Sequence, residues 1–282
     1  VKIRAILNPR AGVAAERARR AILDGPWPEV DLIETRAPGH ARELAYEATV
    51  AGCELVLAAG GDGTANEVAW GLLGSETTLG LVPVGSGNGL ARSLGIPLRP
   101  HAAVAALHDA ATRRMDVGFW NDRPFLNVAG AGLDALVGAD FHGHGKRGGR
   151  RGVLTYVRLS LKRALRYEAQ AWSLMTPEGH GFEGRALIVA FVNGRQYGGG
   201  AIVAPRARLD DGRLDVVVFE DAPLASILAN APRLFLGSID SFRHYRHLSA
   251  TSARLTGPAT FIHHRDGEPE DAAASGSVRV EA

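Results

Sequence analysis

The chain has 282 residues, enough to bury one large core or two smaller ones. Hydrophobic content of 46% and charged content of 22% exclude a disordered or fibrous chain, and a formal net charge of +2 is too small to imply nucleic acid as a partner. Cys53 is the only cysteine, so no intrachain disulfide can form, and no apolar run approaches the ~20 residues of a membrane span. The sequence opens in a strand pattern with no signal-peptide features, so a reducing, cytoplasmic setting is expected.

The first part alternates two periods. Lys2–Leu7, Asp31–Glu34, Glu54–Ala59 and Leu79–Val84 read as strands; Ala14–Leu23, Ala41–Ala51 and Asn66–Leu73 carry apolar residues at helical spacing. This alternation predicts an α/β fold, a doubly wound parallel sheet with helices on both faces. Ligands of such sheets bind beyond the C-terminal strand ends, and each of these ends carries a distinctive loop. They are Asn8-Pro9-Arg10-Ala11-Gly12, then Thr35 with Gly39-His40-Ala41, then Gly60 to Thr64, then Val82 to Asn88. Past about residue 118 the pattern changes. Phe125–Ala129, Ala171–Met175, Ala186–Val192, Leu214–Phe219 and Ala253–Leu255 are strand-like, with helical stretches at Val153–Ala169 and Ala225–Leu236. A second, mainly antiparallel domain is predicted, joined near Asp116–Asn121 without a flexible linker.

The most informative stretch is Gly60-Gly61-Asp62-Gly63-Thr64-Ala65-Asn66-Glu67. Three glycines let the backbone approach an anion, and successive amides at a helix start supply positive potential. Asp62 sits where a phosphate would, so a divalent cation is expected between them. Gly85, Ser86, Gly87 and Asn88 can form a second wall. Asn66 and Glu67 read equally well as helix capping or as nucleotide contacts.

These motifs, followed by Leu90-Ala91-Arg92-Ser93-Leu94-Gly95-Ile96-Pro97 and, near the end, Asp266-Gly267-Glu268, resemble in kind and order the lipid kinases with a diacylglycerol-kinase catalytic domain. That group includes bacterial diacylglycerol kinases and the sphingosine and ceramide kinases. The resemblance implies a nucleotide-binding, NAD-kinase-like domain over 1–118 and a β-sandwich domain for the lipid over 119–271. Residues 272–282 would return to the first domain, with Ser277–Glu281 as the return strand. It further implies transfer of the terminal phosphate of ATP, with Mg2+, to a lipid hydroxyl, foremost that of diacylglycerol. Asn8, Gly12, Thr35, Gly60, Gly61, Gly63, Thr64, Asn66, Glu67, Gly85, Ser86, Gly87 and Asn88 would hold the nucleotide. Asp62 and Asp116 would serve the cation, and Asp215, in Leu209-Asp210-Asp211-Gly212-Arg213-Leu214-Asp215, a structural Mg2+. Asp266 would be the general base, with Glu268 orienting it or binding a cation. Read without the resemblance, Asp266-Gly267 and Asp211-Gly212 are equally turn pairs.

Gly89 stands where many bacterial members carry Asp. The Gly-Ser-Gly-Asn form is similar to the sphingosine kinase variant, which keeps a sphingoid acceptor open. Two rival functions also fit the motifs in part: an NAD kinase, which shares the Gly-Gly-Asp-Gly-Thr turn, and a non-catalytic lipid- or nucleotide-binding protein.

Positive charge concentrates at Lys146, Arg147, Arg150, Arg151, Arg158, Lys162, Arg163 and Arg166. Arg158, Lys162 and Arg166 share a helix face, with Leu154, Val157, Leu161 and Leu165 expected on the opposite side. The segment 146–166 is a candidate for peripheral contact with an anionic membrane surface; a solvated face on a packed helix is the alternative. The state of assembly is open, a homodimer included. The paired histidines (His142 and His144, His244 and His247, His263 and His264) lack cysteine partners and are expected at the surface or in loops.

Overall fold

The structure is a computed structural model and describes residues 1–146, 153–179 and 181–281. The chain divides into two compact units, Val1–Arg113 and Arg114–Ala282.

The first unit is a parallel sheet of β1 (Ile3–Leu7), β2 (Val30–Glu34), β3 (Leu55–Gly60) and β4 (Thr78–Pro83) in the order β2-β1-β3-β4. The near-continuous apolar runs of β1 and β3 take the interior positions, as strands covered on both faces must. β2, carrying Asp31 and Glu34, is an edge. Helices α1 (Val13–Leu23) and α5 (Pro100–His108) pack together, as do α2 (His40–Val50) and α3 (Asp62–Leu72). The pairs cover opposite faces, as right-handed crossovers in this strand order require. α1 buries Ala15, Ala18, Ala21 and Ile22, one stripe at helical spacing. A short α4 (Gly89–Ser93) follows β4. The doubly wound α/β expectation holds, and α3 begins four residues earlier than the apolar periodicity suggested, because the Gly-Gly-Asp-Gly turn is itself the helix start.

The second unit is antiparallel and β-rich. β5 (Val117–Trp120), β6 (Arg123–Phe125), β7 (Val128–Gly132), β9 (Gly181–Val192), β10 (Leu214–Glu220), β11 (Tyr245–Ala250), β12 (Ser252–Arg265) and β13 (Glu268–Glu281) run in the order β11-β10-β9-β7-β12-β13-β5-β6. β8 (Gln170–Met175) pairs with both β9 and β12. The two long strands therefore serve two layers. The first part of β12 pairs with β8 and its last part with β7, with the register broken between Thr256 and Phe261 at Gly257-Pro258. Trp120, Phe125, Trp172, Phe191, Leu255 and Phe261 fill the interior. Helices α6 (Leu133–Lys146) and α7 (Val153–Ala164) pack on each other; α8 (Leu224–Asn230) and α9 (Arg233–Leu236) form the helical stretch expected over Ala225–Leu236, divided at Pro232.

Two expectations change here. Ser277–Glu281 does not rejoin the first sheet. It is the end of β13 and pairs with β5, because the β12–β13 hairpin holds it in the second sheet. Helix α6 was not foreseen: Gly138, Gly143 and Gly145 dilute its helical signal.

Candidate functional site

In the first unit the predicted residues gather at the C-terminal ends of the strands. The strand order reverses between β1 and β3, which makes the gap between their loops the topological switch point. Asn8 bridges it. Its Nδ2 donates to Thr64 Oγ1 at 3.1 Å, its own amide donates to the Ala59 carbonyl at 2.9 Å, and its Oδ1 accepts the Arg10 amide at 3.0 Å. Thr35 extends β2 by donating its amide to the Leu7 carbonyl at 2.9 Å.

The two glycine-rich turns touch backbone to backbone. A Cβ on Gly85 would lie 2.6 Å from Gly61 Cα and 2.8 Å from Asn88 Oδ1, so no larger residue fits. Asn88, left-handed at φ 51°, staples the second turn reciprocally: its Oδ1 accepts the Gly85 amide at 3.0 Å and its Nδ2 donates to the Gly85 carbonyl at 2.8 Å. Asp62 stands in the first turn of α3, and its Oδ1 accepts the Leu90 amide at 3.3 Å. The carboxylate thus ties the first turn to the start of α4. Ser86 is exposed at the tip and Gly87 accepts from Arg92 Nε at 3.1 Å. Gly12, Gly60, Gly61, Gly63 and Asn66 lie on these same loops or the helix start after them. The result is a ring of backbone amides and small side chains at a helix N-terminus, suited to an anion.

Glu67 reaches the start of α2. Its Oε1 accepts the Gly39 amide at 2.9 Å and its Oε2 the Ala41 amide at 3.2 Å. It caps α2, across the gap, rather than its own helix, and both carboxylate oxygens are engaged in holding the Gly39-His40-Ala41 loop in place.

In the second unit, Asp266 and Gly267 are the two central residues of the β12–β13 hairpin, with φ 48° and 84° and Arg265 opposite Glu268. Positive φ at both positions is the tight turn that strand twist favours. The turn reading is therefore correct, and the carboxylate carries more. Asp266 Oδ2 accepts the Leu126 amide at 2.8 Å; Oδ1 accepts those of Asn127 at 2.9 Å and Val128 at 3.0 Å. The Asp266 amide returns a bond to the Val128 carbonyl at 2.7 Å. Asn193, fully buried, supports this segment by donating Nδ2 to the Leu126 and Asp116 carbonyls at 2.9 and 2.7 Å. Glu268 pairs with His142 of α6 at 3.0 Å.

Asp116 is buried in the second unit, and its Oδ2 accepts the Gly212 amide at 2.7 Å. Asp215, in β10, is buried and bonded to His247 of β11. Among the described residues no group of three or more His, Cys, Asp or Glu is arranged to hold a metal ion.

The histidine expectation fails at His263 and His264, which are buried. His264 belongs to a polar cluster beneath the Asp266 turn: its Nε2 lies 3.0 Å from Asp134 Oδ2, which also accepts from Tyr197 Oη at 2.8 Å. Burial, with the Asp134 charge nearby, pushes the Tyr197 hydroxyl well up and that of Tyr167 to about 12. Neither Asp134 nor Tyr197 stood out in the sequence. Only the position of His264 two residues before Asp266 hinted at it.

Arg158 and Lys162 on α7, and Arg166 in the turn just past it, are exposed as expected. Val157, Leu161 and Leu165 are exposed too, by 46%, 42% and 62%. Arg163 faces the other way, its Nε and Nη2 bonded to Asp140 of α6 at 2.5 and 2.8 Å. Arg147, Arg150 and Arg151 lie outside the described residues. Among the described residues no helix is long and apolar enough to cross a membrane.

Comparison with known proteins agrees with both units. Residues 2–120 match the diacylglycerol kinase catalytic domain, and residues 127–281 the YegS C-terminal NAD kinase beta sandwich-like domain. A Pseudomonas aeruginosa (strain UCBPP-PA14) protein named "Probable lipid kinase YegS-like" is 38% identical over 211 residues, 74% of this chain and 66% of its own length. A Pseudomonas putida protein of the same name is 35% identical over 216 residues, 76% of this chain and 70% of its own. The alignment with the first thus spans slightly less than two thirds of that relative. The crystal structure of a presumed diacylglycerol kinase from Bacillus anthracis str. Sterne has the same fold, with a TM-score of 0.79 at 23% identity over 99% of this chain and 94% of that one. The chain belongs to the YegS-like lipid kinase family, with a diacylglycerol kinase catalytic domain followed by a YegS C-terminal domain.

Proposed function

We propose that this protein transfers the terminal phosphate of ATP to a lipid hydroxyl, with diacylglycerol as the first candidate acceptor and phosphatidic acid as its product. The observation that carries the reading is the backbone-to-backbone contact of the Gly60–Thr64 and Gly85–Asn88 turns at the C-terminal ends of a parallel sheet. A wall of amides with no side chains in the way serves phosphates and little else. The first unit would hold the nucleotide and the second the lipid.

Asp62 would serve Mg2+ held by the donor phosphates. A Mg2+ of this kind needs only one or two carboxylates beside the phosphates, so the lack of a three-residue cluster among the described residues fits it. When bound it would supply charge neutralisation on the phosphoryl group. A second Mg2+ at Asp215 would share the carboxylate with His247.

Asp266 would accept the acceptor's hydroxyl proton as the oxygen forms its bond to the terminal phosphorus and the bond to the departing ADP oxygen breaks. Three amides hold the Asp266 carboxylate in one orientation.

The exposed surface of α7 and the turn after it supports peripheral membrane binding. An apolar stripe, Val157, Leu161 and Leu165, lies there beside a basic stripe, Arg158, Lys162 and Arg166. A helix of that kind lies in the plane of an anionic surface, each basic group adding about 1 kcal/mol.

Labelled ATP offered with diacylglycerol, phosphatidylglycerol, sphingosine, ceramide and NAD, with and without Mg2+, tests the reading. Label in phosphatidic acid, dependent on Mg2+, supports it. Label in sphingosine or ceramide moves the acceptor to the sphingoid class suggested by the Gly-Ser-Gly-Asn turn. Label in NAD, or in nothing, overturns it.

A further inference from the structure

Helix α6 runs along the β12–β13 hairpin and meets it at three positions spaced by four, one helical face. Asp134 meets His264, a Cβ on Gly138 would lie 3.5 Å from the Gly267 carbonyl oxygen, and His142 meets Glu268. At the first of these the hydrogen bonds define a direction. The Gly267 amide can only donate, so His264 Nδ1, 3.3 Å away, is its acceptor and carries no proton. The ring proton therefore sits on Nε2 and is donated to Asp134 Oδ2. Tyr197 donates to the same oxygen, and the other Asp134 oxygen accepts the Ala135 amide at 2.8 Å. Each hydrogen bond from Tyr197 to Gly267 thus has one direction, and the central pair, Asp134 and His264, is buried. The backbone has made room for it: a Cβ on Gly130 would lie 2.3 Å from Asp134 Oδ2 and 3.0 Å from His264 Nε2.

We propose that His264 is a positioning residue for Asp266. Asp134 and Tyr197 hold its ring in one tautomer and orientation, and Nδ1 then grips the Gly267 amide. That fixes the Asp266–Gly267 turn, so the carboxylate stays against the Leu126, Asn127 and Val128 amides. The inference rests on the reading of Asp266 as the general base.

Two substitutions in the full chain separate the two bonds of the ring. In His264→Asn the amide oxygen takes the place of Nδ1 and still accepts from Gly267, while the bond to Asp134 is lost. In His264→Gln the amide nitrogen takes the place of Nε2 and still donates to Asp134, while the Gly267 amide is left unmet. Both lose one hydrogen bond, so a purely structural role predicts equal effects that follow the drop in Tm. The positioning role predicts that His264→Gln loses kcat by roughly 10²-fold, the scale of an ångström-sized misplacement, with KM for ATP unchanged. His264→Asn should recover most of that loss at the same Tm. Equal kcat losses in the Asn and Gln variants, or none in either, would overturn the proposal. Asp266→Asn assayed in parallel separates the two readings: near-normal turnover there defeats the base assignment whatever the His264 variants do.

Discussion

Asp266→Asn is the most direct probe of the site, because the structure gives the carboxylate two jobs with different readouts. Three main-chain amides donate to it. A carboxamide keeps one acceptor oxygen and puts an NH2 where the other stood, so at least one amide faces a donor. Bonds to a charged acceptor are worth about 1.5–3 kcal/mol each, so the variant should lose about 2 kcal/mol. For a unit of this size that lowers Tm by roughly 4–8 °C. The catalytic job is larger: loss of a general base lowers kcat by about 10²–10⁴-fold. ATP affinity, measured by titration calorimetry, should stay within a few-fold, since the amide wall of the first unit is untouched. Leu255→Ala, at a fully buried position, is the control; it should cost about 2–5 kcal/mol and leave the chemistry alone. Turnover is read as ADP release on a short-chain soluble diacylglycerol, well below both Tm values. If Asp266→Asn turns over within a few-fold of Leu255→Ala, the base assignment is wrong. If its kcat collapses with no change in Tm, the clamp contributes nothing to stability and the energetic reasoning fails.

Gly85→Ala should weaken ATP binding roughly 10-fold or more, because its Cβ would meet the backbone of Gly61 at 2.6 Å and force the two turns apart; calorimetry showing unchanged affinity would refute the close-contact argument. Asp62→Asn should remove most Mg2+-dependent turnover while circular dichroism shows the fold retained, and a folded variant of near-normal activity would end the cation assignment. Replacing Arg158, Lys162 and Arg166 with Gln, or Leu161 and Leu165 with Ser, should each reduce sedimentation with anionic vesicles. Only the charge variant should lose its defect at high salt, where the Debye length shrinks to a few ångströms; unchanged sedimentation in both would leave α7 a solvated helix. Tyr167, pushed up to about 12, stays neutral in the fold while an unfolded tyrosine ionises near 10. Its contribution is thus complete below about pH 10 and is lost as pH rises from there towards 12, so alkaline melting should begin in that window, and a Tm flat to pH 12 would contradict it.

The sequence by itself determined what short-range physics writes into it. Alternation of periods marked the α/β unit, because a strand and a helix space their apolar residues differently. The Gly-Gly-Asp-Gly-Thr and Gly-Ser-Gly-Asn loops were legible because glycine is needed wherever backbone must approach backbone, and Asp266-Gly267 was legible as a turn because few pairs tolerate two positive φ values. Tertiary structure alone decided what those residues hold on to. Glu67 reads as a helix-start residue until α2 is beside it, and then both its oxygens cap that helix. The amides that grip Asp266 come from Leu126 to Val128, 138 to 140 residues away, a pairing set by strand register and not by any local pattern. The same register puts His264 under the turn and Asp134 against it, where two ordinary-looking polar residues become one buried cluster. On α7 the helical period was legible, but the apolar stripe expected opposite the basic one lies exposed beside it. An amphipathic pattern fixes that a helix has two faces; only the surfaces packed around it decide that the apolar one is left uncovered.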